Sequence, residues 1–177
     1  MPRLTAAERD AFLGTDGVLM RIATVDADGA PHVTPAWYVH EDDSIVFTPR
    51  ADAVWFANLR REPRVALCID EDPLPYRKVT VRGPARILYE PGADPVWRDT
   101  YRRIARRYVG SDEAVEGYLD RTADQPRGLV AVPLGGAEVR GWRMPVEGEP
   151  DTGMWHQRYY APGIELARDA ASPASPA

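Results

Sequence analysis

Residue types that could do chemistry are concentrated between positions 31 and 78. A proline-interrupted strand pattern, His32-Val33-Thr34-Pro35-Ala36-Trp37-Tyr38-Val39-His40, is followed by Thr48-Pro49-Arg50, by a helix expected to start near Asp52, and by the cationic pair Arg77-Lys78. A hydroxyl, a guanidinium and the outward-pointing N–H groups of a helix start together make a cradle for an anion, because the helix dipole favours negative charge there. Residue types alone therefore point to a phosphate site, and chance co-location explains the pattern equally well.

Other reactive groups lack partners. His32, His40 and His156 have neither metal-ligand spacing nor a neighbouring nucleophile, and read as ordinary strand or surface histidines. The acidic groups Asp26/Asp28, Asp42/Asp43 and Asp70/Glu71/Asp72 fall on turns, where solvated carboxylates are commoner than metal sites. Cys68, the single cysteine, cannot form an intrachain disulfide and reads as a small buried hydrophobe. There is no GxGxxG after a strand, no GxxxxGK[ST], no GxSxG, no CxxC and no HExxH, so dinucleotide, Walker-type, hydrolase and zinc chemistries lack support. Arg102, Arg103, Arg106 and Arg107 lie opposite an apolar helix stripe and read as a solvated face, with an anion contact as the lesser alternative. No catalytic side chain and no metal ligand is assigned.

The elements that position these groups follow from hydropathy period and turn residues. At 177 residues the chain suits one domain with a tail and excludes two independent catalytic domains. With 44% hydrophobic and 28% charged residues it is too apolar for wholesale disorder. A net charge of −5 lacks the basic balance of a nucleic-acid binder. No signal-type N-terminus and no apolar run of the ~18 to 20 residues that span a bilayer is seen, so a cytoplasmic location without membrane contact is expected.

Strand-type runs fall at 18–25, 32–40, 44–48, 64–69, 76–88, 128–132 and 137–142. Asp28-Gly29 marks a hairpin, and Pro35 puts its run at an edge, a bulge or a ligand. Gly83-Pro84 is a candidate bend in the fifth run. Helices are expected at 52–62, stopped by Pro63; from Asp94, with Asp94 as cap, Pro95 in the first turn and Trp97, Tyr101, Ile104 and Tyr108 as the buried stripe; and at 112–120. The expected fold class is mostly β with peripheral helices, an antiparallel barrel or sandwich of six to seven strands. Residues 1–145 form the body, 146–169 an extension, and 170–177 an Ala/Ser/Pro tail expected to be disordered.

Four segments carry a likeness: Pro31-His32-Val33-Thr34-Pro35-Ala36-Trp37-Tyr38; Ile45-Val46-Phe47-Thr48; Asn58-Leu59-Arg60-Arg61-Glu62-Pro63-Arg64-Val65-Ala66-Leu67; and Tyr76-Arg77-Lys78-Val79-Thr80-Val81-Arg82-Gly83-Pro84-Ala85. In this order they resemble the split β-barrel flavin and deazaflavin oxidoreductases, the pyridoxamine 5′-phosphate oxidase-like superfamily. The likeness is closest to the actinobacterial branch that uses the deazaflavin coenzyme F-420, and it spans residues 8–142. It implies a six-stranded antiparallel split barrel and a homodimer with two cofactor sites at its interface. By position, Thr34 and Pro35 would lie along the flavin-like ring, Thr48 and Arg50 near the phosphate, and Arg77 and Lys78 on the fifth strand. Trp142 would close the barrel, and Trp55 and Asn58, in the helix motif, would complete the cofactor-binding set. The cofactor, coenzyme F-420 or FMN, would supply the hydride for a small-molecule substrate, so no side-chain acid or base is required.

One departure stands out. Where that family usually has Ser-x-Lys or a lysine three residues before the Asn58 position, this chain has Ala53-Val54-Trp55, so Arg50, Arg60 or Arg61 would have to carry the phosphate. FMN is thereby disfavoured against a longer-tailed deazaflavin. Alternative readings are a pyridoxamine phosphate oxidase, for which only Trp155-His156-Gln157-Arg158 offers a trace, and a non-enzymatic flavin or haem store using His32, His40 or His156. Lys78 and Asn58 are the only lysine and asparagine, a scarcity typical of GC-rich coding sequence and uninformative about partners.

Overall fold

Residues 2–149 are described by a computed structural model; the tail, His156 and the Trp155-His156-Gln157-Arg158 segment lie outside the described residues. The seven strand-type runs become nine strands: β1 (Met20–Val25), β2 (Pro31–Ala36), β3 (Val39–Glu41), β4 (Ser44–Phe47), β5 (Arg64–Asp70), β6 (Lys78–Pro84), β7 (Arg86–Tyr89), β8 (Leu129–Pro133) and β9 (Glu138–Trp142). Two long runs are each cut in two because the chain passes from one sheet to the other, at Trp37-Tyr38 and at Ala85. The five-stranded sheet has the order β2-β1-β5-β6-β9 and the four-stranded sheet β3-β4-β8-β7, with every pairing antiparallel. Since β2 runs on into β3 and β6 into β7, the pairings close a six-membered circuit to which β9 is added: a split barrel.

Pro35 sits where its missing N–H is tolerated. β2 is the edge of the five-stranded sheet, and Pro35 is register partner to Arg21. The β1–β2 turn follows the Asp-Gly signal, with Gly29 at φ 90° and Gly29 N donating to Asp26 O at 3.0 Å.

Four helices accompany the strands among the described residues: α1 (Ala6–Leu13), α2 (Val54–Arg61), α3 (Asp94–Val109) and α4 (Asp112–Arg121). The first was not anticipated, although Thr5 and Glu8 form a capping box at its start. Asp94 does not cap α3. Its two oxygens instead accept from the backbone N–H groups of Gly92 and Arg127, at 3.1 and 3.0 Å. Arg107 corrects the solvated-face reading: it is buried and donates to Tyr38 O, Leu13 O and Thr15 O at 2.7, 2.8 and 2.6 Å. Arg102, Arg103 and Arg106 do face outward, paired with Glu116, Glu41 and Asp112.

The two sheets differ in what covers them. The barrel interior is filled by one cluster including Phe12, Met20, Ile22, Phe47, Phe56, Leu67 and Val81. A second cluster, Val46, Trp97, Tyr101, Ala105, Val115, Leu119, Leu129 and Ala131, packs α3 and α4 on the outer face of the four-stranded sheet. Strand β8 is accordingly apolar throughout, buried on both faces, whereas β1 and β5 alternate. Among the described residues no helix covers the outer face of the five-stranded sheet.

Candidate functional site

A cleft of about 350 Å³ opens where β1, the β2–β3 crossover, the β4–α2 segment and the α3/α4 pair converge. Leu19, Pro35, Ala36, Trp37, Thr48, Arg50, Ala53, Trp55, Tyr101, Tyr118 and Arg127 line it. Two ends can be distinguished. At one, Pro35 and Leu19 flank Trp37, whose ring is stacked on Tyr108 and lies 5.0 Å from Tyr118. At the other, Thr48 and Arg50 stand beside Ala53, the residue that opens α2, a helix start that no side chain caps among the described residues and that is therefore suited to an anion. Trp55, half-buried, lines the cleft from α2, its ring centroid 5.8 Å from that of Phe47.

Of the eight residues expected here, the structure brings together Pro35, Thr48, Arg50 and Trp55. Thr34 is adjacent in β2 but its hydroxyl donates only to Pro35 O, at 3.5 Å. Asn58 is buried beneath the helix, donating to Thr24 Oγ1 at 3.1 Å and Asp26 Oδ1 at 2.6 Å and accepting from Arg61 at 3.1 Å. Arg77 pairs with Glu71 at 2.7 Å and lies over Phe12 at 4.8 Å. Lys78 lies on the bare outer face of the five-stranded sheet, over Trp142 at 5.1 Å. The alternatives to Arg50 are engaged elsewhere: Arg60 pairs with Glu90 at 2.5 Å, and Arg61 donates to Val25 O and Asn58.

Sequence reasoning missed Arg127, Trp37, Tyr101 and Tyr118 as cleft residues. Arg127 precedes β8 and reaches the site only because residues 49–51 and 126–128 pair, through Ala51 N to Pro126 O at 2.8 Å and Gly128 N to Pro49 O at 3.0 Å. No local motif announces a pairing across so many residues. Burial pushes Tyr101 and Tyr108 up to about 12, so both stay neutral phenols. Neither described histidine lines the cleft: His32 faces Asp26 at 3.7 Å, and His40 lies in β3. Among the described residues no cluster of three metal-ligating side chains occurs, and no helix is long and apolar enough to cross a membrane.

A second groove, of about 460 Å³, runs along the outer face of the five-stranded sheet and is lined by Ala23, Val33, Ala66, Cys68 and Thr80 with charged residues at its margins. Burial raises the Cys68 thiol above its usual value.

Comparison with solved structures places this architecture among known ones. A conserved hypothetical protein from Mycobacterium tuberculosis matches at a TM-score of 0.66 and 26% identity, over 88% of this chain and 94% of that one. An F420 reductase matches at 0.50 and 24%, over 73% and 90%, and an FAD-binding protein from Mesorhizobium loti at 0.55 and 20%, over 79% and 93%. No curated protein matches the chain. The family model for pyridoxamine 5′-phosphate oxidase matches residues 7–136, from α1 to the turn after β8, and with the split barrel described above this means that the chain belongs to that family.

Proposed function

We propose that this protein is an oxidoreductase that holds a flavin-type cofactor, coenzyme F-420 or FMN, in the cleft and passes a hydride between it and a small organic substrate. The observation that carries this reading is the two-ended lining of one cleft: flat walls at Pro35 and Trp37 suited to a ring, and Thr48 with Arg50 at an uncapped helix start suited to a phosphate. The similarity to an F420 reductase and to an FAD-binding protein supports it. The cofactor supplies the redox chemistry when bound, while the chain's residues orient it and exclude water. Neutral Tyr101 and Tyr108 suit such a division of labour, since neither moves a proton near neutrality.

At about 350 Å³ the cleft lies at the low end of ligand pockets, which suits completion by a second copy of the chain. The uncovered sheet face, with small residues at its centre, is the surface through which a homodimer would form. Lys78 belongs to that face.

Titration of purified protein with coenzyme F-420, FMN and haem, read by fluorescence and absorbance, tests the reading. Saturable quenching of the deazaflavin or FMN is the expected result. A Soret band with no flavin or deazaflavin binding would overturn it in favour of haem storage.

A further inference from the structure

Two arginines are buried among the described residues, and they differ in a telling way. Arg107 donates to three carbonyls, and its Nε faces the Asp16 carboxylate at 3.6 Å. Arg127, with 7% of its surface exposed, has one carbonyl, Thr48 O at 3.2 Å, and the face of Tyr101 at 4.9 Å. Neither arginine's Nε has a hydrogen-bond partner, but where Arg107 has the Asp16 carboxylate, no carboxylate lies within ion-pair distance of the Arg127 guanidinium among the described residues, and Asp94 meets only its backbone N–H. A buried cation without a counter-charge is strongly unfavourable.

A second observation compounds the first. Arg127 is the register partner of Arg50 in an isolated antiparallel bridge, so the two side chains leave the same face of the backbone, and both line the cleft. Like charges directly opposed across a strand pair repel. Two uncompensated guanidiniums, one of them buried, are reconciled by an anion held between them, for which their forked donors are suited.

We propose that Arg127 and Arg50 form a two-sided guanidinium clamp for the phosphate of the cofactor, approaching from the β8 side of the cleft while the helix side carries the uncharged Trp55. The proposal rests on the cleft being the cofactor site, but it concerns the phosphate alone and can be tested apart from the ring.

Melting temperature is measured with inorganic pyrophosphate against sodium chloride of matched ionic strength, and affinity for FMN and for riboflavin, which lacks the phosphate, by fluorescence titration. Pyrophosphate is expected to stabilise the wild type but not Arg127→Gln. Arg127→Gln should weaken FMN about ten- to a hundredfold while leaving riboflavin unchanged, the range of a charge-assisted hydrogen bond. Adding Trp55→Lys to Arg127→Gln should restore much of the FMN affinity by supplying a cation from the facing wall. Pyrophosphate that fails to stabilise the wild type, or stabilises Arg127→Gln equally, would overturn the clamp, as would a parallel fall in FMN and riboflavin. If Arg127→Gln does not fold, Arg127→Lys takes its place: it keeps the charge but not the fork, and FMN affinity equal to wild type would count against the proposal. Arg127-dependent stabilisation by pyrophosphate without binding of any flavin or deazaflavin would leave the clamp standing and remove the proposed function.

Discussion

Trp37 lies flat on Tyr108, their ring centroids 4.9 Å apart and their planes 2° from parallel. The Tyr108 hydroxyl donates to Val18 O at 2.9 Å and accepts from Tyr38 N at 3.2 Å, so helix α3 fixes both the entry to β1 and the crossover from β2 to β3. The aromatic wall of the cleft is therefore set by a helix distant in sequence. Tyr108→Phe keeps the stack but leaves a partly buried N–H and carbonyl unpaired. The expected loss is ~1 to 3 kcal/mol of unfolding free energy in urea, with weaker cofactor binding. Unchanged stability would show that the hydroxyl has no part in holding the crossover.

Asn58 has a structural task that can be separated from ligand binding. Its amide is 2% exposed and ties α2 to Thr24 and Asp26 on β1 and the turn that follows. Asn58→Ala leaves the Thr24 hydroxyl without its donor and opens a small void. A destabilisation of ~1 to 3 kcal/mol is expected, with the affinity of the folded fraction for FMN or the deazaflavin little changed. Lost affinity with full stability would instead make Asn58 a direct cofactor contact.

The outer face of the five-stranded sheet gives a test of assembly. Ala66 lies at the middle of its groove, so Ala66→Arg places an unpaired charge where a second copy would pack. Light scattering should report a dimer for the wild type and a monomer for the variant, whose circular dichroism is unaltered because the position points away from the core. A wild-type monomer at micromolar concentration would remove the dimer from the proposed function.

Stability should fall in two separate acid steps. Burial holds the His40 imidazole below its ordinary value of 6.5, with Asp10 and Asp43 favouring the charged form and Arg9 and Arg107 opposing it. The unfolded chain therefore takes up this proton first: the contribution is complete above about pH 6.5 and is lost as pH falls below it toward the folded value. His40→Gln should flatten that slope. A lower step follows from Glu62 and Glu149, held at about 2 by hydrogen bonds from Arg64 and Arg143, whose stabilisation is present above their ordinary 4.5 and lost below it. Because both carboxylates are only partly buried and remain in contact with solvent, that step should be small and weakened by salt. Urea midpoints measured from pH 2 to 8 check both, and an unchanged slope in His40→Gln would refute the first.

How much of this was legible in the sequence depends on the range of the interaction concerned. Period-two alternation, the continuous apolar run at 128–132 and the Asp28-Gly29 turn are local signals, and they located all seven strand runs. What alternation cannot show is that a continuous run such as 76–88 serves two sheets, because Ala85 is turned by a hydrogen bond to Pro63 O, a partner from another segment. The site divides in the same way. Thr48 and Arg50 are close together in sequence and were identified, while Arg127 arrives through a pairing with residues far earlier in the chain. Arg107 was misread because helix periodicity ranks faces by hydropathy. A guanidinium that satisfies three buried carbonyls defeats that ranking.

Gly128 shows how tightly that distant pairing is built. A Cβ placed there would come within 2.4 Å of Phe56 Cζ, and Phe56 is fully buried in the barrel core and cannot retreat. The glycine is needed for the close approach of the segment before β8 to helix α2, since its φ is not in the left-handed region. Gly128→Ala must push apart the elements that carry Arg127 and Trp55. Overpacking of this kind costs about 1 to 3 kcal/mol. The variant is therefore expected to melt earlier and to bind FMN or the deazaflavin more weakly, through displacement of Arg127 rather than loss of any contact atom. The companion variant Phe56→Leu, which makes room for the added methyl, should recover part of both losses when combined with it. Absence of any recovery in the double variant would mean that the clash with Phe56 is not the cause.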